Sequence, residues 1–207
     1  IGLCLVGSEM CIRDRNERVS ILHSLNEELI PSSLISVTPK KIKESYIPEL
    51  NSDDYLISKK DLEKCLFGID IVFLKAIIIR TRPNSISKMK RDYMIDSPSF
   101  FSINAMKYLV GLGVQHLLID TPSVDRLFDD GCLTAHNIFW ETEGKKNNLE
   151  TKNKTITEMI YVPDAINDGK YLLNLQIPAF LSDAAPSRPI IYNACLLYTS
   201  DAADELC

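Results

Sequence analysis

A short apolar run that ends in an acidic loop constrains the fold of this chain more than any other feature. Residues 114–119 are mostly apolar and β-prone, with Gly113 before them and Asp120-Thr121-Pro122 after them. Such a run between turn residues predicts a buried strand. The loop that follows carries Asp125 and leads to a short apolar segment containing His136. Polar side chains just beyond a central strand commonly face the ligand crevice of an α/β protein, so this stretch is the first candidate site.

The remaining pattern alternates between strand and helix. Residues 75–81 have a continuous apolar centre, which predicts a strand buried on both faces. Ser102 caps a predicted helix that ends at Gly113. Residues 155–162 alternate, which predicts a strand with Ile156, Glu158 and Ile160 on one face. Further strands are predicted at 34–37, 171–177 and 188–192, and a helix from Ser58 to Leu66.

These elements define the fold class. The C-terminal strands lack helices between them, so we expect an α/β fold with a mixed sheet and flanking helices, and not a regular doubly wound sheet. Within it, His116 is predicted to be a hydrogen-bonded core residue. Arg80 and Arg82 leave a strand end and either orient an anionic substrate or, as is commoner, pair with Asp92 or Asp96.

Charge and composition exclude several kinds of partner. The net charge is −5 at pH 7, and no basic stripe is available to neutralise phosphates, so a nucleic-acid partner is not expected. No apolar stretch approaches the roughly 20 residues of a membrane span. Between residues 16 and 194 the cysteines are Cys65 and Cys132, far apart in sequence. Isolated thiols fit a reducing compartment, so we expect a cytoplasmic protein.

His136 and Glu158 are the best candidates for site chemistry. An imidazole and a carboxylate are ligands suited to Zn²⁺, Mn²⁺ or Fe²⁺. Glu158 lies between isoleucines on a predicted strand, and a carboxylate in apolar surroundings is costly unless it is paired or binds a metal. The alternative is a buried His–Glu hydrogen bond that only stabilises the fold.

Several motifs occur in the order found in one enzyme family. They are I-D-T-P-S-V-D at 119–125, A-H at 135–136, I-T-E at 156–158, D-G-K-Y-L-L-N-L-Q-I at 168–177 and D-A-A-P-S-R-P at 183–189. The set resembles the cyclase family of metal-dependent hydrolases, which includes kynurenine formamidases (arylformamidases). The resemblance implies a swivelling β/β/α domain, a homo-oligomer, and a divalent metal, zinc first, bound by His136 and Glu158.

Two aspartates of the first motif have open roles. The resemblance implies that Asp120 and Asp125 orient the metal ligands without binding the ion themselves. The alternative is turn chemistry, which we favour for Asp125, whereas the two interpretations of Asp120 are evenly balanced.

The sequence departs from the family at its ends. The family's main metal motif, H-x-G-T-H-x-D or a close variant, does not occur in the 207 residues, and with it the expected acid–base histidine is missing. Residues 1–15 and 195–207 resemble translated sequencing adapters. We therefore expect a cyclase-like domain at 16–194 that is incomplete at its N-terminus, flanked by artefacts. Such a fragment is expected to be inactive by itself.

The resemblance implies metal-assisted hydrolysis of N-formyl-L-kynurenine or a related amide, a reaction of tryptophan catabolism, in which the ion activates water and polarises the carbonyl. A small-molecule substrate is then the expected partner. Two alternatives remain open: a non-catalytic binding or assembly module of the same fold, and a hydrolase that acts on a lactone or cyclic imide.

Overall fold

A closed, mixed β-sheet forms the centre of the molecule. The computed structural model describes residues 8–11, 21, 24–142, 148, 150–179, 181–182 and 184–194. Within these residues the strands are β1 (Ser8–Cys11), β2 (Ile30–Val37), β3 (Leu56–Ile57), β4 (Ala76–Thr81), β5 (Phe100–Phe101), β6 (His116–Ile119), β7 (Thr155–Thr157), β8 (Gly169–Gln176) and β9 (Ala184–Asn193), and the α-helices are α1 (Lys59–Leu66), α2 (Ile103–Gly111) and α3 (Thr134–Phe139).

Seven strands close the barrel in the order β1-β7-β6-β4-β2-β8-β9, and β3 pairs with β5 separately. Strands β2, β4, β6 and β7 run parallel, whereas β8, β9 and β1 pair antiparallel with their neighbours. The carboxyl ends of the four parallel strands therefore meet at one end of the barrel, where ligand sites commonly lie. The predicted mixed α/β class with flanking helices is confirmed.

Strand β4 is buried on both faces, as predicted. All six of its residues are buried. Ile77 and Ile79 pack in the core between the sheet and the helices, whereas Ala76 and Ile78 pack in the barrel interior. Side chains alternate across a strand, so an apolar residue is needed at each of these positions.

The predicted helix caps are confirmed. The Oγ atom of Ser58 accepts a hydrogen bond from the backbone N–H of Asp61 at 3.2 Å, at the start of α1. Ser102 accepts from the N–H of Ala105 at 3.1 Å, at the start of α2. Gly113 follows α2 with a φ of 77°, a conformation in which glycine carries no steric cost.

The strand predicted at 155–162 is wrong in extent. Strand β7 ends at Thr157, and Met159 has a left-handed φ of 59°. This residue reverses the alternation, so Ile156 packs against the helix-side core and Ile160 lies in the barrel interior. The predicted shared face of Ile156 and Ile160 is therefore wrong.

Part of the segment that we interpret as adapter-derived has regular structure. Ser8–Cys11 pairs with β9 and, through Met10, with β7. An open strand edge offers unpaired N–H and C=O groups to any extended segment, so this pairing does not depend on side chains. The adapter interpretation and the incomplete N-terminus stay predictions, and residues 195–207 lie outside the described residues.

Two further observations concern the described part of the chain. Its helices are too short or too polar to cross a membrane. The cysteines Cys65 and Cys132 are both free, with Cys132 exposed and Cys65 half-buried against the core.

His116 is a hydrogen-bonded core residue, as predicted. Its Nδ1 atom lies 2.8 Å from Oγ1 of Thr155, and the residue is 5% exposed. Burial, with Lys75 nearby, lowers the pKa of His116 to about 4. In the unfolded chain the pKa of His116 has its ordinary value near 6.5. Below that pH the unfolded chain therefore binds a proton at this residue, whereas the folded chain does not until the pH is near 4.

This burial predicts an acid-sensitive contribution to stability. We expect it to be complete above pH 6.5 and to fall by roughly 2–3 kcal/mol between pH 6.5 and 4. His116→Asn, which keeps a neutral polar group near Thr155, should remove this part of the pH dependence. Urea unfolding of the parent chain and of the variant at several pH values isolates the contribution of His116, because the titrating carboxylates affect both chains equally. If the free energy of unfolding had the same slope against pH in both chains, His116 would not be the source of this pH dependence.

Candidate metal centre

His136 and Glu158, distant in sequence, come together beyond the carboxyl ends of the parallel strands. His136 lies in α3, and Glu158 directly follows β7. The Nε2 atom of the imidazole lies 3.5 Å from Oε1 of Glu158. Both residues are buried, at 5% and 8% exposure. The structure therefore places the two predicted ligands side by side in a protected position.

Asp125 holds the other side of the imidazole. Its Oδ2 atom lies 2.6 Å from Nδ1 of His136. The same carboxylate accepts hydrogen bonds from the backbone N–H groups of Ala135 at 2.5 Å and His136 at 3.2 Å. Because α3 begins after Leu133, which has no capping side chain, Asp125 caps this helix from the preceding loop. The interpretation of Asp125 as a turn residue alone is wrong.

Two more groups fix these carboxylates. The hydroxyl of Tyr46 donates to Oδ1 of Asp125 at 3.2 Å. The backbone N–H of Val124 donates to Oε1 of Glu158 at 2.8 Å. Asp125, Val124 and the loop between β6 and α3 thus position both members of the His–Glu pair.

The electrostatics of the pocket favour a charged imidazole. Burial alone lowers the pKa of His136, but the hydrogen bond that the ring donates to Asp125 and the charges of Glu158, Asp125 and Asp129 outweigh it and hold that pKa above its ordinary value. A cluster of carboxylates around a nitrogen ligand attracts any cation, either a proton on the ring or a metal ion beside it.

The pair fits two ligand positions of a metal site. Zinc lies about 2.0–2.2 Å from nitrogen and carboxylate ligands, so two tetrahedral ligands are separated by roughly 3.4 Å. The 3.5 Å between Nε2 and Oε1 matches this separation. An imidazole that ligates through Nε2 commonly donates its Nδ1–H to a carboxylate, which is the contact with Asp125. No group of three or more His, Cys, Asp or Glu side chains suited to a metal occurs among the described residues.

Asp120 contacts a different set of groups. Its side chain is fully buried and accepts from N and Oγ1 of Thr81, both at 2.8 Å. Nζ of Lys88 lies 2.8 Å from its Oδ2 atom. Burial raises the pKa of Asp120, and Lys88 and Thr81 oppose that effect. The carboxylate that contacts the His136 ring is therefore Asp125. Asp120 instead links the end of β6 to the end of β4 through its hydrogen bonds with Thr81.

Arg80, in β4, and Arg82, just after it, are paired, as favoured, but with other partners than expected. Arg80 is buried, with NH2 2.8 Å from Asp168, and Arg82 lies 2.7 Å from Asp164. Pairing with Asp92 or Asp96 is wrong, because the segment after β7 returns to cover the strand ends. Nothing in the local sequence near Arg80 indicates partners so far along the chain.

Comparison with known proteins supports the same family. The family model described as "Putative cyclase" matches residues 23–126, half of the chain. This segment contains Asp125 and ends before His136 and Glu158. The sequence has no match among curated proteins.

Solved structures share the fold at low sequence identity. A predicted metal-dependent hydrolase from Bacillus stearothermophilus is 16% identical, with a TM-score of 0.57 over 90% of this chain and 76% of that one. A potential metal-dependent hydrolase with cyclase activity is 17% identical, with a TM-score of 0.60 over 91% and 77%. Isatin hydrolase A from Labrenzia aggregata is 13% identical, with a TM-score of 0.57 over 89% and 72%.

At these identities the likeness to the solved structures is one of fold. The family model adds a match in sequence over half of the chain, through the strands that lead to the candidate centre. This chain belongs to the cyclase family.

Proposed function

We propose that this chain is part of a metal-dependent hydrolase that cleaves an amide bond, with N-formyl-L-kynurenine or a related aryl amide as its substrate. The observation that carries the proposal is the buried Asp125–His136–Glu158 arrangement, with a ligand separation suited to a shared ion. The proposal includes a divalent metal, with zinc first and manganese or iron as alternatives, and a cytoplasmic homo-oligomer.

The chain's own residues would prepare the ligands. Asp125 accepts the Nδ1–H of His136, which leaves the Nε2 lone pair directed toward Glu158. The Val124 N–H holds one carboxylate oxygen of Glu158, and burial of both residues limits competing water. A metal bound there would supply Lewis acidity for the attack of water on the amide carbonyl.

The direct test is hydrolysis with and without metal. A relative that carries the H-x-G-T-H-x-D motif, which this chain lacks, is assayed on N-formyl-L-kynurenine after loading with zinc, manganese or iron, together with its variant at the position that corresponds to Glu158→Gln. We expect metal-dependent turnover that a chelator removes and that Glu158→Gln abolishes. Hydrolysis that survives complete metal removal would reject the proposed mechanism.

A cyclic substrate is the second candidate. Its support is the fold shared with isatin hydrolases, including one bound to the product analogue thioisatinate. Isatin, a lactone and a cyclic imide are therefore assayed beside the formamide. Turnover of a cyclic compound without turnover of the formamide would favour this substrate class. Metal binding without hydrolysis of any of them would favour a non-catalytic module.

Asp125→Asn tests the positioning of His136. The amide keeps the size of the side chain but loses the charge that holds the Nδ1–H. We expect metal affinity to fall by roughly 10–100-fold, the usual effect of removing a ligand's hydrogen-bond partner. Competition with a chromophoric zinc chelator measures the change, and Asp130→Asn, which neutralises an exposed aspartate of the same loop that does not contact the ring, is the matched control. Equal affinities of Asp125→Asn and the parent chain would contradict this role.

A further inference from the structure

A second polar cavity lies at the carboxyl ends of the parallel strands. It has a volume of about 410 Å³ and is bordered by Thr81, the last residue of β4, and by Thr121, which follows β6. The cationic side chains in its lining are Arg82, Lys88 and Arg91, and no carboxylate lines it. Its position and lining differ from those of the His136–Glu158 centre, so it is a separate candidate for ligand binding.

Two of its three cations are already neutralised. Lys88 is buried, and its Nζ atom lies 2.8 Å from Oδ2 of Asp120. The same ammonium group also donates hydrogen bonds to Thr81 and Asn84. Arg82 lies 2.7 Å from Asp164. These pairs leave little net charge for a ligand, so the cavity does not resemble a site for a multiply charged phosphate.

Arg91 and Tyr93 remain available. Among the described residues the Arg91 guanidinium forms no ion pair, and the Tyr93 hydroxyl forms no hydrogen bond. Both line the cavity. Burial, and then the charge of Asp120, raise the pKa of Tyr93, so the phenol stays a hydrogen-bond donor at neutral pH. Arg91 thus supplies the cavity's unpaired positive charge and Tyr93 a neutral donor, and the two together match a single carboxylate.

The rest of the lining combines serine and threonine hydroxyls with the rings of one tyrosine and three prolines. Tyr55 and the prolines Pro39, Pro83 and Pro98 contribute ring faces. The aromatic ring of Tyr55 and the apolar ring faces of the prolines both pack well against an aromatic group. The volume lies within the range of small-molecule sites and is ample for one ring with a short substituent.

We propose that this cavity binds a small aromatic monocarboxylate, with its carboxylate on Arg91 and Tyr93 and its ring against Tyr55 and the prolines. This site goes beyond the proposed hydrolysis and does not require a metal. It shares one structural connection with the candidate centre: the carbonyl of Thr121 accepts a hydrogen bond from the N–H of Met159, the neighbour of Glu158.

The test is ligand binding in the presence of a metal chelator, measured by isothermal titration calorimetry and by saturation-transfer NMR of the ligand. The probes are benzoate, its neutral analogue benzamide, the dianion phthalate and inorganic phosphate. The variants are Arg91→Gln and Tyr93→Phe, with Lys90→Gln as the matched control, since Lys90 is an exposed neighbour outside the lining.

We expect saturable benzoate binding that weakens roughly tenfold or more in Arg91→Gln, severalfold in Tyr93→Phe and not in Lys90→Gln. Benzamide, phthalate and phosphate should bind more weakly than benzoate. Absence of benzoate binding, equal binding of benzamide, or equal losses in Arg91→Gln and Lys90→Gln would each overturn the proposal. Because the chelator is present throughout, these outcomes are independent of whether the metal-dependent hydrolysis is observed.

Discussion

Replacement of Lys88 by methionine is expected to lower the free energy of unfolding by about 3–5 kcal/mol at neutral pH. The ammonium group of Lys88 is the charge partner of the fully buried Asp120 carboxylate and also donates to the carbonyl of Thr81. Methionine fills a similar volume but leaves Asp120 buried without a counter-charge. Urea unfolding monitored by circular dichroism measures the loss.

Two matched variants separate charge pairing from packing. Lys90→Met changes an exposed lysine two residues away and should leave stability nearly unchanged. Lys88→Met combined with Asp120→Asn removes both charges and should be more stable than Lys88→Met alone. Burial raises the pKa of Asp120, so the single variant should also recover part of its stability as the pH falls and the carboxyl becomes neutral. A single variant as stable as the Lys90 control would show that the pair contributes little.

Removal of either ligand is expected to abolish most zinc binding. His136→Gln and Glu158→Gln should each lower zinc affinity by more than the roughly 10–100-fold that loss of an outer hydrogen-bond partner costs, because each removes a direct bond to the ion. Competition with a chromophoric chelator gives the affinities. Circular dichroism of each metal-free variant confirms that the fold is retained.

His116→Asn is the control for these ligand variants. His116 is also a buried histidine, but its ring contacts Thr155 at the other end of β6. Its replacement should leave zinc affinity unchanged. If all three variants bind zinc as the parent chain does, the His136–Glu158 pair is a structural hydrogen bond, which is the alternative that the sequence leaves open.

The features predicted correctly from sequence are those set by local interactions. The continuous apolar run of β4 and the capping serine of α2 depend on neighbouring residues, so their patterns are visible in the chain. His116 is another example, because a histidine inside an apolar strand must find a hydrogen-bond partner.

The incorrect predictions depend on contacts between distant segments. Methionine rarely adopts a positive φ, so the reversal at Met159 has no local signal. Arg80 pairs with Asp168 because the chain returns after β7, and spacing alone does not encode that return. The hydrogen bonds from the N–H groups of Ala135 and His136 to Asp125 depend on α3, a short helix that the sequence pattern does not predict.

The central claim is that His136 and Glu158 ligate one divalent ion. Anomalous scattering at the zinc absorption edge, from crystals of the chain grown with zinc, locates such an ion directly. A peak is expected within about 2.0–2.2 Å of both Nε2 of His136 and Oε1 of Glu158, with Asp125 still hydrogen-bonded to Nδ1. A zinc-saturated crystal without a peak between these two atoms, or with the ion bound only elsewhere, would contradict it.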